Sequence, residues 1–176
     1  MHFNKTELRA SLRRWLVPRR IFDALLLLLA AWALGVALGV IRTGGHLERG
    51  LEVPPLIVRS VPEGAPVALQ GFLGKPVVLT FFSTSCPACR RELPDLDELA
   101  QELSGRVVFL VVSQDPPEAL VEYWRAEGLT LPVAFDEGGT HSFFQVTRIP
   151  YNVILDSAGR VYEDFLGPVR SSDIPF

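Results

Sequence analysis

Cysteine is scarce in this chain: there are two among 176 residues, three positions apart, at Cys86 and Cys89. With no others to build a disulfide framework of the kind small exported domains use, the pair points to redox or metal chemistry. Histidine is nearly as sparse, with His2, His46 and His141 scattered along the sequence. Zinc takes four protein ligands in a structural site and three in a catalytic one, which this set does not supply beside the cysteines. The residue after the second cysteine is Arg90 rather than histidine, which excludes covalent haem attachment. Six of the 17 Lys and Arg precede residue 21, leaving 11 beyond residue 41 to face 18 of the 20 Asp and Glu. That balance argues against nucleic-acid binding. Internal repeats and low-complexity tracts are absent.

Apolar residues, in contrast, make up 48% of the chain, and the mean hydropathy is +0.26. Much of this excess sits in residues 21–41, where Asp23 is the only charge. At about 1.5 Å per residue such a run reaches roughly 30 Å, the thickness of a hydrocarbon core. A cleaved signal peptide is the competing reading, kept open by the small residues Ala37 and Gly39. Its apolar region normally runs only about 7 to 15 residues, so an uncleaved transmembrane anchor is expected. Residues 1–20 carry Lys5, Arg9, Arg13, Arg14, Arg19 and Arg20 against Glu7, which predicts a cytoplasmic basic segment and an N-terminus inside. Leu8, Leu12, Trp15 and Leu16 recur there at helical spacing and suit the inner leaflet, although a plain topology signal explains them as well. Residues 42–55 mix glycine, charge and two prolines, and read as a linker.

In residues 56–176, short apolar pieces at 56–58 and 67–69 suggest a leading hairpin, and 77–82 is a continuous β-prone run of the kind covered on both faces. Cys86-Pro87-Ala88-Cys89 follows, and then Leu93, Leu96, Leu99, Ala100 and Leu103 at steps of three and four. This spacing predicts an amphipathic helix with the cysteines at its N-terminus and Pro87 in the first turn. A second buried strand is expected at 107–112, followed by a helix from an Asp115 to Glu118 capping box to about Glu127, stopped by Gly128. A short strand at 131–135, a short helix at 140–146, and a hairpin of 150–155 and 160–165 complete an α/β sandwich.

A cysteine at a helix N-terminus meets the positive end of the macrodipole and unpaired N–H groups, both of which favour thiolate. Cys86 is therefore the expected nucleophile. Cys89, one turn further in, is the group that attacks the mixed disulfide and closes the Cys86–Cys89 bond.

Together these residues resemble the thioredoxin superfamily, and most of all its membrane-anchored TlpA/ResA branch. The resemblance is carried by Gly74-Lys75-Pro76-Val77-Val78-Leu79 leading into Phe81-Phe82, by Cys86 to Pro94, by Ile149-Pro150, and by the turn at 156–159. It implies a thioredoxin-like domain in which Pro150 is cis beside the disulfide and Ile149 offers backbone groups to an extended substrate. It also implies that Glu92 helps manage the cysteine protons. The implied activity is thiol–disulfide exchange with cysteine-containing proteins outside the cytoplasm. It would run as a reductase, in cytochrome c maturation or similar work, recharged by a membrane electron donor and needing no dissociable cofactor. The implied location is the bacterial cytoplasmic membrane.

Three positions depart from the family pattern. Thr80 stands where thioredoxin has a buried aspartate, and Ser85 where the family commonly has tryptophan. Residues 167–176 replace the usual closing helix, which is expected to be short or missing. Two rivals remain. A peroxiredoxin-like thiol peroxidase shares the fold, but Leu79 and Ser83 occupy its motif's Pro and Thr positions. A metal carrier or binding module lacks an adequate ligand set. His141 reads as a loop residue, Arg148 as a solvent-exposed arginine near the proline loop, and Trp124 with Phe143 and Phe144 as packing residues.

Overall fold

A computed structural model describes residues 19–37 and 46–176. The N-terminal unit contains helix α1 (Arg19–Ala37), whose side chains from Ile21 to Leu34 are exposed. Among the described residues no helix is long and apolar enough to cross a membrane. The basic segment before residue 19 and the last part of the expected span, residues 38–41, lie outside the described residues.

The second unit is built on a seven-stranded sheet. Its elements in chain order are β1 (Ile57–Ser60), β2 (Pro66–Ala68), a 3-10 turn (Leu69–Phe72), β3 (Val77–Phe82), α2 (Pro87–Glu102), β4 (Val108–Ser113), α3 (Pro117–Glu127), β5 (Val133–Phe135), α4 (Gly139–Phe143), β6 (Tyr151–Leu155) and β7 (Val161–Leu166). The strand order is β2-β1-β5-β4-β3-β6-β7. Strands β3, β4 and β5 run parallel, and the remaining pairs are antiparallel. This is a mixed-sheet, thioredoxin-like α/β fold.

Every residue of β3 is buried, which accounts for its unbroken apolar run. Val78 and Phe82 face a core shared with Cys89, Leu93 and Leu96 of α2 and with Leu120 and Trp124 of α3. Val77, Leu79 and Phe81 face the opposite core, with Phe144, Tyr151 and Val153. Burying a side chain of this size stabilises the fold by about 1.5 to 3 kcal/mol, so β3 is a firmly held platform for the residues that follow it. Gly128 ends α3 in a left-handed conformation, φ 67° and ψ 27°, as expected of a helix stop.

The segment read as a linker is described from His46 onward, and there it lies on the sheet. Leu47, Leu51 and Val53 pack against the second core. Gly50 N–H donates to the Val161 carbonyl at 2.7 Å, and Val161 N–H donates to Leu51 at 2.9 Å. Asp164 accepts the backbone N–H of His46 at 2.8 Å. Among the described residues no α-helix follows β7. A 3-10 turn (Ser171–Asp173) brings buried Ile174 onto the first core, and Val169 packs there too, so this tail covers apolar surface that a closing helix would cover.

Two expectations are corrected. The capping box at Asp115 does not form, because α3 is capped by Pro116 with no side-chain hydrogen bond, and the Asp115 carboxylate turns toward residues 83 and 84 instead. His141 is not an idle loop residue. It lies in α4, its Nδ1 is 2.6 Å from buried Asp136, and its ring meets Phe81 edge-on. The Asp136 carboxyl is opposed by burial, yet hydrogen bonds from His141 and Thr140 hold it below the usual carboxylate range.

Candidate active site: a cysteine pair at a helix N-terminus

Strand β3 ends at Phe82, the chain turns through residues 83–85, and α2 begins with Cys86 as its N-cap, in an extended conformation at φ −90° and ψ 109°. Proline at the first helical position supplies the required φ and removes an N–H that would have no partner. Cys86 and Cys89 are joined as a disulfide with their Cα atoms 5.3 Å apart. Cys86 is partly exposed, whereas Cys89 is buried at 2% exposure. A partner can therefore reach only the first sulfur directly. Cys89 N–H donates to Cys86 Sγ at 3.2 Å, which places a helix-terminal donor where charge develops when the bond is reduced.

The loop before β6 closes the other side. The Ile149–Pro150 peptide is cis, and the Ile149 carbonyl oxygen lies 3.8 Å from Cys86 Sγ. Behind Cys89 sits a cavity of about 20 Å³, lined in part by Thr80, Glu92, Pro150 and Asn152. Thr80 Oγ1 donates to Asn152 Oδ1 at 2.6 Å, and Asn152 Nδ2 donates to the Gly167 carbonyl at 2.7 Å. This buried polar pair is satisfied without a charge where an acid could stand. Burial pushes the Glu92 carboxyl up to about 7, and Asp95 adds to the rise against the opposing pull of Arg91. Half-buried Glu92 is thus poised to hold or release a proton near neutral pH beside Cys89.

The structure brings together all five residues singled out from the sequence, Cys86, Cys89, Glu92, Ile149 and Pro150. Arg148 is exposed next to Ile149. Sequence reasoning missed Asn152, which has no motif of its own, and Asp115. The signal for Asp115 was its place just beyond the carboxyl end of a parallel strand, where α/β folds gather their sites.

A partly exposed sulfur at a helix start, its partner one turn deeper and a cis proline across from them define a thioredoxin-like thiol–disulfide oxidoreductase. The sequence matches the Redoxin family over residues 50–175, and the chain belongs to that family. It is 29% identical over 154 residues to the thiol-disulfide oxidoreductase ResA of Bacillus cereus ATCC 10987, covering 85% of this chain and 88% of that relative. Identity reaches 30% over 157 residues with ResA of Bacillus cereus ZK, with the same coverage. In fold it resembles the crystal structure of a thiol:disulfide interchange protein DsbE of Chlorobium tepidum, with a TM-score of 0.65 and 21% identity across 73% of this chain and 92% of that one. StoA of Bacillus subtilis is similar in fold too, at TM-score 0.58 and 21% identity over 68% and 93%. These findings place the chain among ResA/TlpA-type proteins of the thioredoxin superfamily.

Proposed function

We propose that the protein is a membrane-anchored reductase of disulfides in other proteins, working outside the cytoplasm. The observation that carries the reading is the asymmetry of the pair, with Cys86 reachable at the helix start and Cys89 buried behind it. Cys86 thiolate attacks a partner disulfide, a mixed disulfide forms, and one partner thiolate leaves. Cys89 then gives up its proton, attacks Cys86 Sγ and releases the second partner thiol. The partner has gained two electrons, and its two sulfurs end protonated with one proton that came from Cys89 and one taken up from solvent by the thiolate that left first. On this reading Glu92 takes the proton from Cys89, and an extended substrate segment lies along Ile149 and Pro150. The pair carries the electrons itself, so no dissociable cofactor is required.

Three features support the extracytoplasmic reading. They are the apolar run at 21–41, the six basic residues before it, and the likeness to ResA over 85% of the chain. On this reading the chain crosses the bacterial cytoplasmic membrane once with its N-terminus inside, and the second unit, including the segment from His46 that packs on the sheet, forms the catalytic domain. A membrane electron donor then restores the dithiol, and cytochrome c maturation is one process such a reductase serves. Replacing Cys89 by Ala should trap mixed disulfides on Cys86 that dithiothreitol releases. Recovery of no Cys86-linked protein, with Cys86 still reactive toward a small disulfide, would refute a protein substrate.

A further inference from the structure

The turn that carries Cys86 is fixed by a group outside its own element. Asp115, just past β4, accepts the Thr84 N–H on Oδ2 at 2.5 Å and the Ser83 hydroxyl on Oδ1 at 3.1 Å. Its own N–H donates to Oγ of fully buried Ser113 at 3.0 Å, so the carboxylate is rooted in the sheet. Ser83 Oγ lies 2.9 Å from Ser85 Oγ. Because the one hydroxyl proton of Ser83 is directed at Asp115, Ser85 is the donor in that contact. The donors run from Ser85 through Ser83 to the charge. Cys86 N–H closes the same turn on the Ser83 carbonyl at 3.0 Å.

A carboxylate that grips the residue two positions before a nucleophile acts on it through space as well. The α2 N-terminus and the Cys89 N–H favour thiolate on Cys86, and a fixed negative charge opposes them. The titratable and charged groups on the elements that meet this end include Arg90, Arg91, Glu92 and Asp95 on α2, Glu118, Glu122, Tyr123 and Glu127 on α3, and Arg148 before Ile149. Arg90 is engaged by Glu127 at 3.4 Å and by the Tyr123 ring at 5.4 Å.

We propose that Asp115 is a positioning residue for Cys86: it staples the 83–85 turn to the end of β4, and its charge weakens the Cys86 thiolate, making the Cys86–Cys89 pair more reducing. A less stable thiolate is the stronger nucleophile and belongs to a dithiol that gives up its two electrons more readily. The inference builds on the oxidoreductase reading and adds what sets its direction.

The test compares the reduced full-length chain with Asp115→Asn and Asp115→Glu. It uses thiolate absorbance and the pH dependence of iodoacetamide alkylation at Cys86, followed by equilibration in a fixed dithiothreitol redox buffer. Asp115→Asn keeps an acceptor and loses the charge, so the Cys86 pKa should fall by about half a unit and the reduced fraction should rise about threefold relative to the oxidised. Asp115→Glu should return both toward the parent values. A purely structural role would move the melting temperature and leave both readouts unchanged. An Asn variant with unaltered or raised Cys86 pKa, or an unaltered equilibrium, overturns the proposal. Failure of the oxidoreductase reading would look different, since the parent chain would then exchange with no protein disulfide while alkylation still decided the effect of Asp115.

Discussion

Replacing Glu92 by Gln removes a charge from the wall of the cavity behind Cys89 while keeping nearly the same volume. The free carboxyl titrates near 4.5, and in the folded protein burial pushes it up to about 7. Below about pH 4.5 the group is protonated in the folded and unfolded chains alike, and the variant should match the parent in stability. Between 4.5 and 7 the unfolded chain releases its proton first, so ionisation favours unfolding and the parent falls progressively behind. Above about 7 the gap is complete. The full difference corresponds to roughly 3 kcal/mol, and because water reaches part of this carboxyl we expect about 1 to 2 kcal/mol. Urea unfolding of the oxidised chain from pH 4 to 8 measures it directly. The thiol-exchange rate of the reduced chain should at the same time lose an inflection near pH 7 in the variant. A parent that is more stable than the variant at pH 8, or a gap that does not change with pH, would refute the reasoning.

Asp97, buried at 8% exposure, accepts from Leu131 N–H at 2.7 Å, Thr130 N–H at 3.0 Å, Thr130 Oγ1 at 2.9 Å and Gln101 Nε2 at 3.0 Å. Asp97→Ala strands these donors where α2 meets the chain leading to β5, and should lower stability by about 2 to 4 kcal/mol in a denaturant titration without changing exchange chemistry at Cys86. Burial raises the Tyr151 hydroxyl above the usual tyrosine range, and its hydrogen bond to the Asp164 carboxylate adds to the rise. Ultraviolet titration should therefore show a late step from Tyr151, with Tyr123, also raised by burial, delayed as well. Because the unfolded chain would lose that proton first, this group draws stability down as pH climbs past about 10. Tyr151→Phe should abolish the late step.

The parts of the fold that were legible in the sequence are those governed by local physics. Strand β3 declared itself by an unbroken apolar run because both of its faces are covered, and α2 by leucines at helical steps after a proline suited to its first turn. The end of α3 was readable from Gly128, since a left-handed stop needs glycine and little else. The two sulfurs could be picked out through a short motif whose spacing is its geometry, whereas the cis proline was legible only through the resemblance to the thioredoxin superfamily. Asp115 misled because the same four residues satisfy a capping pattern and a long-range staple, and only the sheet brings residue 83 within reach. His141 misled in a similar way: its partner Asp136 is five positions away, but the contact that gives the ring a place is with Phe81, sixty positions back. Asn152 was illegible because its role is to satisfy Thr80 across two paired strands, a register that no single segment encodes.

The chain around residues 50–53 lies along the start of β7 and is hydrogen-bonded to residues 159–161. At the far side of the sheet β2 has three residues and begins with Pro66. Bare outer strands invite neighbouring molecules to add themselves as further strands. Here one margin is partly occupied by the protein's own leading segment, and the other is too short and proline-blunted to template growth. Copies crowded side by side would thus meet through side chains rather than merge their sheets, leaving each cysteine pair free to serve its own visitors.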